Sequence, residues 1–240
     1  MAMGEPQIIC GPATAVLETG GLFDVDVAIA TAQVGARMER LFPAERLFIA
    51  SAAPARRAEF ASGRHCARSA LARLGIPPTA IPSGPSREPV WPEFTVGSIS
   101  HSGSICLAVA ALRSRGYAGI GVDIEQAGEL DETLLDIICT PDELRAMDAM
   151  SRQQARAYAK MLFSIKESVF KCQFPMTGVW LEFTDVEVDI GPDARSYEAA
   201  LKRQAGPLRQ GHRIGGRVRA TADFLISSAW LRSAPPAVRQ

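Results

Sequence analysis

Apolar and polar positions change period several times along the 240 residues, and each change predicts a boundary. From Ala53 to Leu74 the apolar residues Phe60, Ala67, Leu71 and Leu74 recur at helical spacing until Gly75 and the Pro77-Pro78 pair stop them, which predicts one helix. Ile76 to Pro92 carries six prolines and reads as an extended surface loop, of the kind that cradles a ligand. Val96–Ser100, Ile105–Ala111 and Ile120–Glu125 read as three short strands, the last two joined by a turn at Arg113 to Gly116; they are expected to share one sheet. Thr140-Pro141-Asp142-Glu143 predicts a helix start, with Thr as N-cap, Pro at the first helical position and Glu placed to complete a capping box. Ser151 to Cys172 reads as a long helix with Ala155, Tyr158, Leu162 and Val169 on its apolar side, ended by Phe174-Pro175. Val186–Ile190 alternates and Arg217 to Trp230 reads as two strands around Ala222-Asp223, so the C-terminal third is expected to be mostly sheet. Met1 to about Phe48 mixes Gly, Pro and apolar residues, reads as strand, loop and helix, and ends in the helix-start-like Pro43-Ala44-Glu45-Arg46.

Composition narrows the class. With 47% hydrophobic and 22% charged residues, the chain is long enough for one large domain or two small ones. A formal charge of zero gives no global field toward nucleic acid or an anionic membrane, and neither is expected as a partner. Cys10, Cys66, Cys106, Cys139 and Cys172 are odd in number, scattered and never in a C-x-x-C pair, which argues against a disulfide framework and a zinc site. No basic start precedes an apolar run and no stretch approaches the ~20 apolar residues of a membrane helix, so a cytoplasmic protein is expected.

Two signatures carry the chemistry. In Gly121-Val122-Asp123-Ile124-Glu125 the strand period aims both carboxylates at one face. In Phe163-Ser164-Ile165-Lys166-Glu167-Ser168-Val169-Phe170-Lys171, Glu167 and Lys171 stand a turn apart on a helix. Three carboxylates and an ammonium in one place would suit a metal ion and a phosphate. Each piece alone has a plainer reading: a solvated strand face, a surface ion pair worth ~0.5 kcal/mol, the wet side of a helix for Arg56, Arg57, Arg64 and Arg68, a structural hydrogen bond for His101. Their occurrence together in order outweighs four separate coincidences.

The two signatures resemble the G-[IV]-D-x-E and [WF]-x-x-K-E-[AS]-x-x-K blocks of 4′-phosphopantetheinyl transferases of the larger, single-chain type, the surfactin- and enterobactin-synthetase activating enzymes. Arg56-Arg57-Ala58-Glu59-Phe60 with Gly63-Arg64-His65-Cys66-Ala67-Arg68, and Arg87-Glu88-Pro89-Val90-Trp91-Pro92 with Gly97-Ser98-Ile99-Ser100-His101, are similar to two further blocks of the enterobactin-type branch. The resemblance implies an α/β (α+β) protein of two similar halves, each a small, mainly antiparallel sheet packed with helices, with the active site in the cleft between them. Residues 1–115 would carry coenzyme A-binding elements and 116–240 the metal-binding and catalytic motifs.

The implied reaction transfers the phosphopantetheine arm of coenzyme A to a serine hydroxyl of an acyl- or peptidyl-carrier protein, releasing adenosine 3′,5′-bisphosphate. By resemblance Asp123, Glu125 and Glu167 would hold Mg²⁺, with Mn²⁺ an alternative. Glu167 would serve as general base and Lys171 would pair with the pyrophosphate. Arg56, Arg64, Ser100 and His101 would hold coenzyme A phosphates, and Arg87, Glu88 and Pro89 would lie beside the adenine. Two departures stand out: Ser83 lies where some relatives offer lysine, and Phe163 replaces the commoner Trp. A monomer is expected. The rival readings are a coenzyme A- or nucleotide-binding regulator and a metal-dependent phosphodiesterase using the same carboxylates; the G-x-S-x-G of a serine esterase and the Walker loop of a nucleotide hydrolase are absent.

Overall fold

Ile105 to Leu112 is apolar at every position, and such a strand must be covered on both faces. The computed structural model describes residues 17, 19–35 and 38–233 and bears this out. The first half contains β1 (Ala28–Gln33), α1 (Pro43–Arg46), α2 (Pro54–Arg73), β2 (Thr95–Ser102) and β3 (Ile105–Leu112), with β3 central in an antiparallel sheet ordered β1-β3-β2. Cys106, Ala108 and Ala110 pack under Cys66, Ala67, Ala70 and Leu71 of α2. Ile105, Leu107, Val109 and Ala111 face the other way, onto the second half.

A turn at Arg113–Arg115, closed by left-handed Gly116, leads into β4 (Tyr117–Gln126). After α3 (Leu135–Ile138), α4 (Pro141–Met147) and α5 (Arg152–Thr177) come β5 (Val186–Ile190), β6 (Ser196–Leu201), β7 (Arg213–Ala220) and β8 (Phe224–Arg232), in an antiparallel sheet ordered β4-β8-β7-β6-β5. The apolar side of α5, with Leu162, Ile165 and Val169, covers one face of this sheet. Ile120, Val122 and Ile124 on the opposite face of β4 complete the core between the halves. The expected architecture of two antiparallel sheets packed with helices is observed, with three strands in one half and five in the other among the described residues.

Three expectations are corrected. First, β4 does not join the sheet of β2 and β3. It forms the edge of the second sheet, and its outward N–H groups at Val122 and Ile124 donate to the hydroxyls of Ser98 and Ser100 on β2, at 3.1 and 3.3 Å. Serine oxygens thus replace the carbonyls of a ladder at these two buried donors.

Second, α5 does not stop at Phe174-Pro175. Pro175 sits in its last turn, where few backbone bonds remain to be lost, and the helix ends at left-handed Gly178, whose N–H donates to Phe174 O at 2.8 Å. Third, the proline-rich segment is not wholly a surface loop. Ile81 is fully buried against α2 and β3, its N–H donates to Glu45 Oε1 at 2.9 Å, and its carbonyl accepts from Arg64 Nε at 2.6 Å. The capping box at Thr140 and Glu143 is present as expected. Cys106, Cys139 and Cys172 are buried thiols outside any disulfide, and Cys10 lies outside the described residues. Among the described residues no helix is long and apolar enough to cross a membrane.

Candidate active site

Asp123 and Glu125 follow Gly119 and Gly121 at every second position on the side of β4 that faces α5. The glycines explain the approach. A methyl group on Gly121 would overlap Ser168 O and come within 2.7 Å of Cys172 N, so α5 rests directly on the strand backbone. Lys160, Ser164, Glu167 and Lys171 succeed one another along the facing side of α5 at helical spacing.

The result is a dense polar junction at the seam between the sheets. Asp123 is 2% exposed and accepts from Lys171 Nζ at 2.6 Å and from the hydroxyls of Ser100 and Ser164, both at 2.9 Å. Lys171 also donates to Ser100 Oγ at 3.2 Å and lies 3.8 Å from Glu167. Glu125 is paired with Lys160 at 2.5 Å.

Burial pushes the Glu167 carboxyl above its ordinary value, and the neighbouring carboxylates Asp123 and Glu125 push the same way against Lys171. Lys171 shows the opposite balance. Burial works against its charge, but Asp123, Glu167 and Glu125 outweigh burial and raise its pKa, so it stays an ammonium at neutral pH.

A second group lies where α2 meets β2. Arg56 Nη1 is 3.2 Å from Glu59 Oε2 and 3.1 Å from His101 Nε2, and His101 is 3.5 Å from Glu59. His101 belongs to β2 itself, not to the loop beyond it. Burial lowers its pKa, Arg56 and Lys171 add to that, and Glu59 and Asp123 oppose it, so the ring is neutral at pH 7. Arg64 is not brought to this group. Eight residues on a helix turn through about 80° beyond two full turns. Arg64 therefore points inward, 5% exposed, donating to Ile81 O and to Ser83 Oγ at 3.0 Å, with its guanidinium carbon 4.2 Å from the centroid of the Phe60 ring. Burial pushes it down to about 10.

The anchored segment carries the remaining candidates. Arg87 is exposed in a left-handed conformation with φ 70°, Pro89 bridges to Ser83, and Glu88 turns back over Gly84 with one buried carboxylate oxygen lacking a hydrogen-bond partner. Arg87, Glu88 and Pro89 line a cavity of about 230 Å³ together with Phe170, Lys171 and Trp180, which links this segment to the junction on α5.

Oxygen donors on Asp123, Glu125 and Glu167 suit a hard divalent cation, and the ion pairs of Asp123 with Lys171 and of Glu125 with Lys160 set the first two against the helix that bears Glu167. As the side chains stand, among the described residues no three His, Cys, Asp or Glu groups form a cage for a metal ion. All three carboxylates are engaged by the ammonium groups of Lys160 and Lys171.

Comparison with known proteins bears on the same elements. The 4′-phosphopantetheinyl transferase N-terminal domain matches residues 44–111, and the 4′-phosphopantetheinyl transferase superfamily matches residues 119–221. The 4′-phosphopantetheinyl transferase Svp of Streptomyces mobaraensis is 38% identical over 177 residues, 73% of this chain and 71% of that protein. The chain belongs to the 4′-phosphopantetheinyl transferase superfamily. PptT of Mycobacterium tuberculosis is 37% identical over 65% of this chain and 67% of its own length. Enterobactin synthase component D of Salmonella typhi is 39% identical over half of each chain. Among solved structures, the holo-[acyl-carrier-protein] synthase of Thermotoga maritima superposes with a TM-score of 0.39 over 49% of this chain and 65% of its own, at 19% identity.

Within this phosphopantetheinyl transferase, several residues of the junction were not singled out from sequence. Ser164, Ser98 and Glu59 lay inside matching blocks without an assigned contact, and Lys160 lay outside them. Ser164 and Lys160 were accessible to helical periodicity, three and seven residues before Glu167 on the same face. Ser98 was not, because its partner is a backbone N–H group of a strand in the other sheet.

Proposed function

We propose that this enzyme moves the 4′-phosphopantetheine arm of coenzyme A to a serine hydroxyl of an acyl- or peptidyl-carrier protein, with release of adenosine 3′,5′-bisphosphate. The observation that carries the reading is the Lys171–Asp123–Ser100 junction beside Glu167, at the meeting of the two halves. Residues 1–115 would supply coenzyme A contacts and 116–240 the acidic and basic groups of the chemistry.

Glu167, with its raised pKa, is suited to take the proton of the attacking serine, and Lys171, whose charge Asp123 and Glu167 favour, to stabilise the leaving phosphate. Arg56 and neutral His101 offer hydrogen-bond donors to the coenzyme A phosphates. Arg64 acts at one remove, by pinning the segment that bears Ser83, Arg87, Glu88 and Pro89. Asp123, Glu125 and Glu167 would hold Mg²⁺ or Mn²⁺, which supplies charge neutralisation at the pyrophosphate. The working form is read as a cytoplasmic monomer.

Intact-mass analysis of apo-carrier proteins incubated with enzyme, coenzyme A and Mg²⁺ tests the proposal. A gain of one phosphopantetheine arm, abolished by chelator and by Glu167→Ala, is expected. Adenosine 3′,5′-bisphosphate released without any carrier would point to a phosphodiesterase instead, and coenzyme A binding with neither product would point to a regulator.

A further inference from the structure

Lys160 lies outside the four matching blocks, yet it makes one of the shorter ion pairs in the junction, 2.5 Å from Glu125 Oε2. Its seat is built on two sides. The ammonium lies 5.2 Å from the centroid of the Phe163 ring, and Phe163 is itself fixed against Phe183 at 5.5 Å. Both partners are partly sheltered, with side chains 17% and 25% exposed. The aromatic position of the second signature, Phe163, therefore does more than fill the core.

The electrostatics of the junction follow. Three carboxylates, Asp123, Glu125 and Glu167, face two ammonium groups, Lys160 and Lys171, leaving one net negative charge. A divalent ion entering the free protein must displace an ammonium from Glu125 and another from Asp123, while shedding water. Coenzyme A changes the balance. Its pyrophosphate brings negative charge that receives the displaced ammonium groups, and oxygen ligands that complete the metal's shell.

We propose that Lys160 is a built-in counter-cation of Glu125 that keeps the acidic set closed to a divalent ion until the ion enters with the coenzyme A pyrophosphate. The proposal rests on the reading that Asp123, Glu125 and Glu167 hold the metal. It assigns Lys160 a positioning role, not contact with the reacting atoms.

The test is Mn²⁺ binding, read from the free-ion electron paramagnetic resonance signal, to wild type, Lys160→Gln, Lys160→Met, Glu125→Gln and the Lys160→Gln/Glu125→Gln double variant, with thermal melts to verify folding. Lys160→Met keeps the stem over Phe163 without the charge. Without coenzyme A, both Lys160 variants should bind Mn²⁺ about fivefold more tightly than wild type, the effect of removing one partly exposed ion pair. In the Glu125→Gln background the Lys160 substitution should have no effect, and saturating coenzyme A should narrow the gap between wild type and variants. Equal affinities, or weaker binding by the Lys160 variants, would overturn the counter-cation. No Mn²⁺ bound by any form even with coenzyme A would overturn the metal reading and this proposal with it.

Discussion

Gly121 on β4 and Ser168 on α5 are in backbone contact: a Cβ on the glycine would occupy the space of the Ser168 carbonyl oxygen. That contact sets the distance between the strand bearing Asp123 and the helix bearing Glu167 and Lys171. Neither backbone can yield alone, because β4 is laddered to β8 and α5 is packed into the core of the second half. Gly121→Ala should therefore cost about 1–3 kcal/mol of stability and displace Lys171 from Asp123. Thermal denaturation with carrier-loading assays would detect both losses. An unchanged melting temperature would show that the helix rides on something other than this contact.

Arg56 and Arg64 separate affinity from architecture. The Arg56 side chain is 55% exposed and bonds to the Glu59–His101 group, whereas Arg64 is buried and holds the proline-rich segment at two points. Arg56→Ala should raise KM for coenzyme A about tenfold, the loss of a charge-assisted phosphate contact, with little change in melting temperature. Arg64→Ala should lower the melting temperature, since it strips a charged donor from Ile81 O and Ser83 and opens space beside Phe60. The same result for both variants would contradict the division drawn here.

How far these features could be read from sequence differs by residue. Asp123, Glu125, Glu167 and Lys171 were accessible because strand period two and helix period near four each place side chains on one face, and the structure brings those faces together. The orientation of Arg64 was not, since a rotation of about 80° decides between solvent and core only when the neighbours are known. Strand β6, Ser196–Leu201, was unread because Ser-Tyr-Glu-Ala-Ala-Leu blurs the alternation with two adjacent alanines. The seam of Ser98 and Ser100 against β4 is a tertiary substitute for a ladder, and local propensity carries no trace of it.

His101 supplies a titration that checks the second group. Burial and the cations Arg56 and Lys171 hold its pKa below the ordinary value, and Glu59 pulls the other way. By linkage, a histidine depressed in the folded state adds stability above its unfolded pKa, and that contribution is lost as pH falls. An NMR titration of the free enzyme should place its midpoint below 6.5. Glu59→Gln should lower it further, and Arg56→Met should raise it. A midpoint at or above the ordinary value in wild type would mean that the ring is solvated and the cleft more open than the structure has it.

The residue beside Glu167 gives the last prediction. Lys166 is 2% exposed, and its ammonium donates to Glu143 Oε2 at 2.6 Å and to Ile138 O at 2.8 Å. Glu143 in turn accepts from Val188 N at 2.9 Å and Thr140 N at 2.8 Å, so one buried pair ties α3, α4 and β5 to the helix that carries the catalytic candidates. Burial lowers the Lys166 pKa and Glu143 opposes it, which marks the charge as dependent on that partner. Glu143→Gln alone leaves the buried ammonium facing only neutral acceptors, without a counter-charge, and should cost about 3–5 kcal/mol. Adding Lys166→Met removes the stranded charge and should recover much of that loss. Chemical denaturation of the two single variants and the double variant measures the coupling. Additive losses would show that Lys166 and Glu143 stabilise the fold independently, and that the α3–α4 segment is held to α5 by other contacts.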